Sequence, residues 1–179
     1  MDKRPETDIL YEISLAIGQS LSLGPMLTQS ISTAVRTLNC VNACVLQQRV
    51  DANGADVHWE RALCIPRGLL QQPEPQAFVE SLQLPDKVQA LPALHERMPL
   101  RVPHDAGERY VFSLPRFGLL LLYRKGPGFS HHLLMSLAKL MEKLAREQRL
   151  KDKGLVPFVH MALPEAIITL KQGVGRLIR

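Results

Sequence analysis

Five side chains in the middle of the chain have the chemistry of a small-molecule site. Trp59, Arg61, Phe78, His95 and Tyr110 offer three aromatic faces, one fixed positive charge and one titratable ring. Trp59 and Arg61 are two residues apart, so in an extended strand both point to the same side. An aromatic face beside a guanidinium suits a planar or anionic ligand. The structural use of the same residues is the readier account: Trp59 and Phe78 as core, Arg61 in solvent, since a few aromatics are expected in any core.

Other chemistry-bearing residues lack a working pattern. His131 and His132 are adjacent, whereas two metal ligands on one helix face need a spacing of three or four. Cys40, Cys44 and Cys64 form no C-x-x-C pair, so no zinc site is expected. Their odd number fits reduced thiols in a reducing compartment, and Cys40 and Cys44 are expected to pack as small apolar residues. No Ser/His/Asp set, carboxylate pair or glycine-rich phosphate loop stands out. The reading is therefore a non-catalytic chain, with no cofactor specified.

The totals bound the class. The chain has 179 residues, 46% of them hydrophobic, enough to bury a core. No apolar run reaches the ~18–20 residues of a membrane span, and the first residues lack a secretory pattern, so a cytoplasmic protein is expected. Of the formal charge of +5, residues 1–150 carry +2 and the last 29 carry +3. The basic balance belongs largely to the tail, and nucleic-acid binding by the main domain is not indicated.

These residues must be positioned by elements readable from hydrophobic spacing. Ile9, Leu10, Ile13, Ala16, Ile17 and Leu21 predict a first helix, with Thr7 as its cap. Met26, Leu27, Ile31, Ala34, Val35 and Leu38 predict a second, starting at Pro25. Residues 43–50 and 57–65 read as a hairpin about Asp51-Ala52-Asn53-Gly54, with Asn-Gly supplying the positive φ of a tight turn. Eight of the thirteen prolines fall between Pro66 and Pro115. This region is predicted to be loops around a short helix, 76–84, with an edge strand near 100–102. Strands at 109–114 and 117–124 follow, the second apolar enough to be buried on both faces. Ser130 then caps a long helix whose Leu134, Leu137, Met141, Leu144 and Gln148 follow heptad spacing. The fold class is α+β: an antiparallel sheet with the N- and C-terminal helices on one face. Leu134, Leu137, Met141 and Leu144 serve a dimer seam between two copies, packing within one chain, or both, since two terminal helices from each copy can make a four-helix seam.

Several of these stretches resemble GAF domains of bacterial sensor histidine kinases. Leu10–Leu23 is similar to the family's opening helix, and Pro25–Leu46 to its second helix and first strand. Phe117-Gly118 followed by four leucines resembles its closing strand, and Leu133–Arg149 its exit helix. The resemblance covers residues 8–150. It implies a central sheet of five or six strands and a ligand pocket under residues 66–108. It also implies homodimers through the terminal helices, a role in two-component signal transduction, and a downstream kinase or other output domain. The residues that mark cyclic-nucleotide and bilin-binding branches are absent, which disfavours both ligands. Leu94-His95-Glu96-Arg97-Met98-Pro99 resembles a histidine-kinase phosphoacceptor box, but it is one residue short before the proline and reads as a surface loop.

The tail, residues 157–179, resembles motif VI of Rad3-related helicases, which runs Gln-x-x-Gly-Arg-x-x-Arg. Gln172, Gly175, Arg176 and Arg179 fit it. The rest of a helicase motor is missing from the sequence, so these arginines have no phosphate-holding lobe to serve. Leu163, Ile167, Leu170, Val174 and Leu177 also make one apolar helical stripe. The expectation is a sensor domain at 1–150 and an amphipathic tail at 151–179. A helicase fragment and a ligand-free dimerisation scaffold are the alternatives.

Overall fold

The computed structural model describes residues 5–18 and 23–152; the tail, with Gln172, Gly175, Arg176 and Arg179, lies outside the described residues. Helices α1 (Glu6–Gly18) and α2 (Leu23–Thr37) lead into strands β1 (Asn42–Val50) and β2 (Val57–Ile65). A region with two 3-10 turns and the short helices α3 (Pro73–Ser81) and α4 (Leu91–Glu96) follows. Strands β3 (Leu100–His104), β4 (Gly107–Leu114) and β5 (Gly118–Lys125) then precede the long helix α5 (His131–Asp152). The five strands form one antiparallel sheet in the order β2-β1-β5-β4-β3.

The central strand explains the architecture. In β5, Leu120 and Leu122 face one core while Leu119 and Leu121 face the other. A strand apolar on both faces needs a layer on each side. On one side lie α1, α2 and α5, with Ile13, Ile31, Ala34, Leu137 and Met141 buried against Val45, Phe112 and Leu120. On the other, the 66–100 region covers Cys44, Leu46 and Leu119 with Leu69, Phe78 and Leu94. The α+β layering with the terminal helices on one face is as the sequence predicts.

Local chemistry moves some boundaries. α1 begins at Glu6, one residue before the predicted cap Thr7, with Asp8 N–H donating to Pro5 O. The β1–β2 connection is wider than an Asn-Gly turn: Gly54 has φ +71°, and Asn53 instead accepts the Ala55 N–H through its side chain. That Asx turn satisfies the backbone without a left-handed asparagine. The short helix starts three residues early because Pro73 and Pro75 suit a first turn. Residues 91–96, read as loop, form α4, with Leu91 and Leu94 buried. Ser130 caps α5 as predicted: its Oγ accepts the Leu133 N–H at 3.0 Å and donates to Glu6 Oε1 at 2.6 Å.

The α5 stripe packs within the chain, one of the uses left open for it. Leu134, Leu137, Met141 and Leu144 are all buried in this chain's own core, against its sheet and first two helices. A side chain already enclosed has no apolar area left for a second copy. Among the described residues, no helix is long and apolar enough to cross a membrane.

Candidate functional site

A cavity of about 390 Å³ opens between the sheet and the cover formed by residues 69–79. Cys44, Leu69, Leu70, Phe78, Val79 and Leu121 make its apolar wall; Asn42, Gln72, Glu74, Arg109, Tyr123 and Lys125 supply polar groups. The size and the mixture fit a small organic ligand.

Arg109 is its chemical centre. It sits on β4 opposite Tyr123 of β5, so both project to the cavity side. Its side chain is only 15% exposed. The guanidinium lies 4.7 Å from the Phe78 ring centroid and 5.9 Å from that of Tyr123, a cation held by two aromatic faces. His104 packs edge-on against Tyr123 at 5.2 Å and completes the enclosure. A buried guanidinium needs a counter-charge, and Glu74 provides it: Arg109 Nη2 donates to Glu74 Oε1. The same oxygen lies 2.6 Å from His104 Nε2, which donates to it when that nitrogen carries the proton. The 3.3 Å between Arg109 Nη2 and His104 Nε2 is then the separation of two donors sharing one acceptor. Glu74 itself is 64% exposed at the lip of the cavity. The cation is enclosed, and its partner carboxylate lies mostly in water.

The five residues singled out in the sequence are not brought together. Phe78 lines the cavity. Trp59 packs in the same core, its indole N–H donating to Pro85 O at 2.8 Å, so it pins the cover. Arg61 is exposed. His95 lies away from this cavity, in a smaller one of about 230 Å³ with Met98, Ser113 and Glu142. Its Nε2–H donates to Gln48 Oε1 at 3.2 Å and its Nδ1 accepts from Ser113 at 2.7 Å. Burial holds its pKa below the ordinary histidine value, consistent with a neutral structural ring. Tyr110 faces the opposite side of the sheet, in the core under α5. The cavity receives its neighbour Arg109 because successive strand residues alternate faces. Arg109, Glu74, His104 and Tyr123 were missed; the signal was a charge of opposite parity to Tyr110, Phe112 and Leu114.

Tyr110 has a role of its own. Its hydroxyl accepts the Phe129 N–H at 2.8 Å and donates to Glu108, which Arg101 clamps through Nε at 2.8 Å and through Nη2. The Arg101 guanidinium, and secondly the Tyr110 hydroxyl, hold the Glu108 carboxyl below the usual carboxylate range. Burial first, and the Glu108 hydrogen bond second, push the phenol up to about 12. The Tyr110 and Phe129 rings stack at 4.3 Å. Residues 108 and 110 thus fasten the entry to α5, while residue 109 between them faces the cavity.

No protein-family model matches the chain, and no curated protein matches it in sequence. Its architecture does have solved counterparts. The GAF domain of a phosphoenolpyruvate-protein phosphotransferase from Coxiella burnetii superposes with a TM-score of 0.55 at 16% identity, over 83% of this chain and 96% of that one. This chain has the GAF fold. The GAF domain of the Acinetobacter phosphoenolpyruvate-protein phosphotransferase is similar at a TM-score of 0.49 and 14% identity, over 80% and 92% of the two chains. The GAF fold seen here has five strands, within the expected five or six. Among the described residues, no group of three or more His, Cys, Asp or Glu side chains is placed to hold a metal ion.

Proposed function

We propose that this chain is a non-catalytic regulatory domain of signal transduction that captures a small molecule carrying a carboxylate or phosphate. The observation that carries the reading is Arg109: a guanidinium fixed between two rings in a cavity, its charge met by a carboxylate that is mostly in water. A ligand acid can take the guanidinium fork while Glu74 swings outward, so no buried charge is left unpaired at any stage. Lys125 adds a second positive group at the cavity wall. The apolar wall then holds the body of the ligand.

Transmission runs through β4. Exchange of Glu74 for a ligand acid changes the load on Arg109, and so on the strand where Glu108 and Tyr110 hold the start of α5. The ligand biases two positions of that helix by the difference in its affinity for them. The output partner in this reading is a kinase or phosphotransferase in the cytoplasm. Pairing of two copies forms part of the proposal, with Tyr11 and Leu15 of α1 as the apolar side chains left exposed for it, in place of the buried α5 residues.

The test is a thermal-shift screen with di- and tricarboxylates, sugar phosphates and nucleotides. A binder at 100 times its Kd adds about 2.7 kcal/mol, which for a chain of this size is a rise of roughly 5–10 °C. Arg109→Met is expected to abolish the shift, and Glu74→Gln to strengthen binding by removing the competing carboxylate. An equal shift in Arg109→Met refutes the acid-binding assignment. If no compound moves the wild-type transition, the ligand-free scaffold replaces the sensor.

A further inference from the structure

Cys44 in the apolar wall of the cavity has a second thiol behind it. Cys44 on β1 and Cys64 on β2 are direct cross-strand partners, both buried, with their sulfurs 2.8 Å apart. The parity that makes this contact is unusual. Trp59 and Cys64 are an odd number of residues apart, yet both face the core beneath the cavity cover. The register shift between Val45 and Leu46 is the cause: Val45 pairs with Leu63 and Leu46 with Arg61, leaving Ala62 as the extra residue of a bulge. Directly opposed residues of antiparallel strands have Cα atoms about 4.5–5.5 Å apart, inside the ~4.4–6.8 Å span of a disulfide. The two sulfurs can therefore be joined with the strands where they are. Access comes from the cavity: Cys44 lines it, and the Cys64 sulfur lies directly behind, 2.8 Å from that of Cys44.

The environment also separates the roles of the two sulfurs. The Cys44 S–H donated to Cys64, then the Arg61 guanidinium and a backbone hydrogen bond from Leu70, favour the Cys64 thiolate and hold its pKa below the ordinary value. Cys44 is raised in turn, first by that same hydrogen bond and then by burial. One thiol is the readier nucleophile and the other is placed to resolve it. The third cysteine is unlike either: Cys40 is pushed up to about 12 by burial and packs with the helical core.

We propose that Cys44 and Cys64 form a reversible dithiol–disulfide couple set in the cavity wall, oxidised by a small hydroperoxide. The Cys64 thiolate attacks the peroxide oxygen; the O–O bond breaks, an alcohol or water leaves, and Cys64 becomes a sulfenic acid. Cys44 sulfur then attacks the Cys64 sulfur, the S–O bond breaks, and water leaves with the Cys44 proton. Two thiols have lost two electrons and two protons, and the peroxide has been reduced to water, or to an alcohol and water. A dithiol such as dithiothreitol returns the pair to thiols by exchange. The bridge ties β1 to β2 at the cavity and replaces the Cys44 thiol of its wall with a disulfide sulfur.

The experiment treats the full chain with hydrogen peroxide and counts free thiols, then maps the product by non-reducing digestion and mass spectrometry. The expected result is loss of two of the three thiols, a monomeric Cys44–Cys64 bridge, and recovery of both thiols in dithiothreitol. Cys40→Ser is expected to behave as the wild type. Cys44→Ser is expected to form no internal bridge and to yield a dimedone adduct at Cys64. A bridge that involves Cys40, a bridge only between chains, or thiols inert when folded but oxidised in urea would each overturn the proposal. The outcome is independent of the acid-binding reading, because no step depends on Arg109.

Discussion

Tyr110→Phe removes a single oxygen from the joint between the cavity strand and the long helix. That oxygen accepts the Phe129 N–H at 2.8 Å and donates to Glu108. The ring keeps its place, stacked at 4.3 Å on Phe129 and 6.4 Å from Phe112, so no cavity opens. The cost comes from the groups left behind. Phe129 is 4% exposed, and its amide loses its acceptor where water has little access. A buried donor without a partner costs about 1–3 kcal/mol. Glu108 retains Arg101 and some solvent contact, and adds less. The expected total is about 2 kcal/mol, or a fall in Tm of roughly 4–8 °C. Urea unfolding gives the free energy, and amide exchange at Phe129 gives the location. The exchange of this one amide should rise much more than that of Leu120 or Leu121 in the central strand. A cost below about 0.5 kcal/mol with the Phe129 amide still protected would refute the claim that the hydroxyl holds the helix entry.

Other consequences follow from the same structure. A Cβ on Gly118 would lie 1.8 Å from Leu46 O, backbone against backbone, so Gly118→Ala must part β1 from β5 and should cost about 3 kcal/mol in a denaturant titration. Gly54→Ala, in open space at φ +71°, should cost only about 1–2 kcal/mol from its backbone conformation; equal costs would contradict the packing argument. His95 has its folded pKa lowered by burial, so the unfolded chain binds more protons as pH falls from about 6.5 toward the folded value. Its contribution is present above that window and lost on descending through it, and the stability of His95→Gln should fall less between pH 7.5 and 5. An unchanged slope would show that His95 is not the group responsible. Tyr11→Lys with Leu15→Lys should leave the fold intact and reduce self-association in sedimentation velocity; an unaltered dimer, or a monomeric wild type, would exclude pairing through α1.

The outline of the molecule was legible where hydrophobic spacing has one solution. Leu119–Leu122 had to be buried on both faces, and a strand of that kind belongs at the centre of a two-sided sheet. Ser130 before an apolar helical stripe could be read as a cap because that chemistry is local. The 66–100 region was read less well, since α4 is a single buried turn or so whose helicity comes from docking Leu91 and Leu94. The stripe on α5 was visible, but its partner was not: the same spacing serves a second chain or the chain's own sheet, and only the tertiary packing encloses Leu137 and Met141.

The candidate site depended on parity. An aromatic, an arginine and a cavity were all expected, yet in Arg109-Tyr110-Val111-Phe112 both faces of the strand carry packable residues. Spacing alone therefore does not say which face meets the cavity. Pairing with β5 decides it, placing Arg109 beside Tyr123 on one side and Tyr110 under Phe129 on the other. Cys44 and Cys64 show the same division. The residue types belong to the sequence. Their meeting belongs to a bulge at Ala62, which resets the alternation of one strand against its neighbour. Composition and period determine what each strand is made of; the register between strands determines which side chains meet.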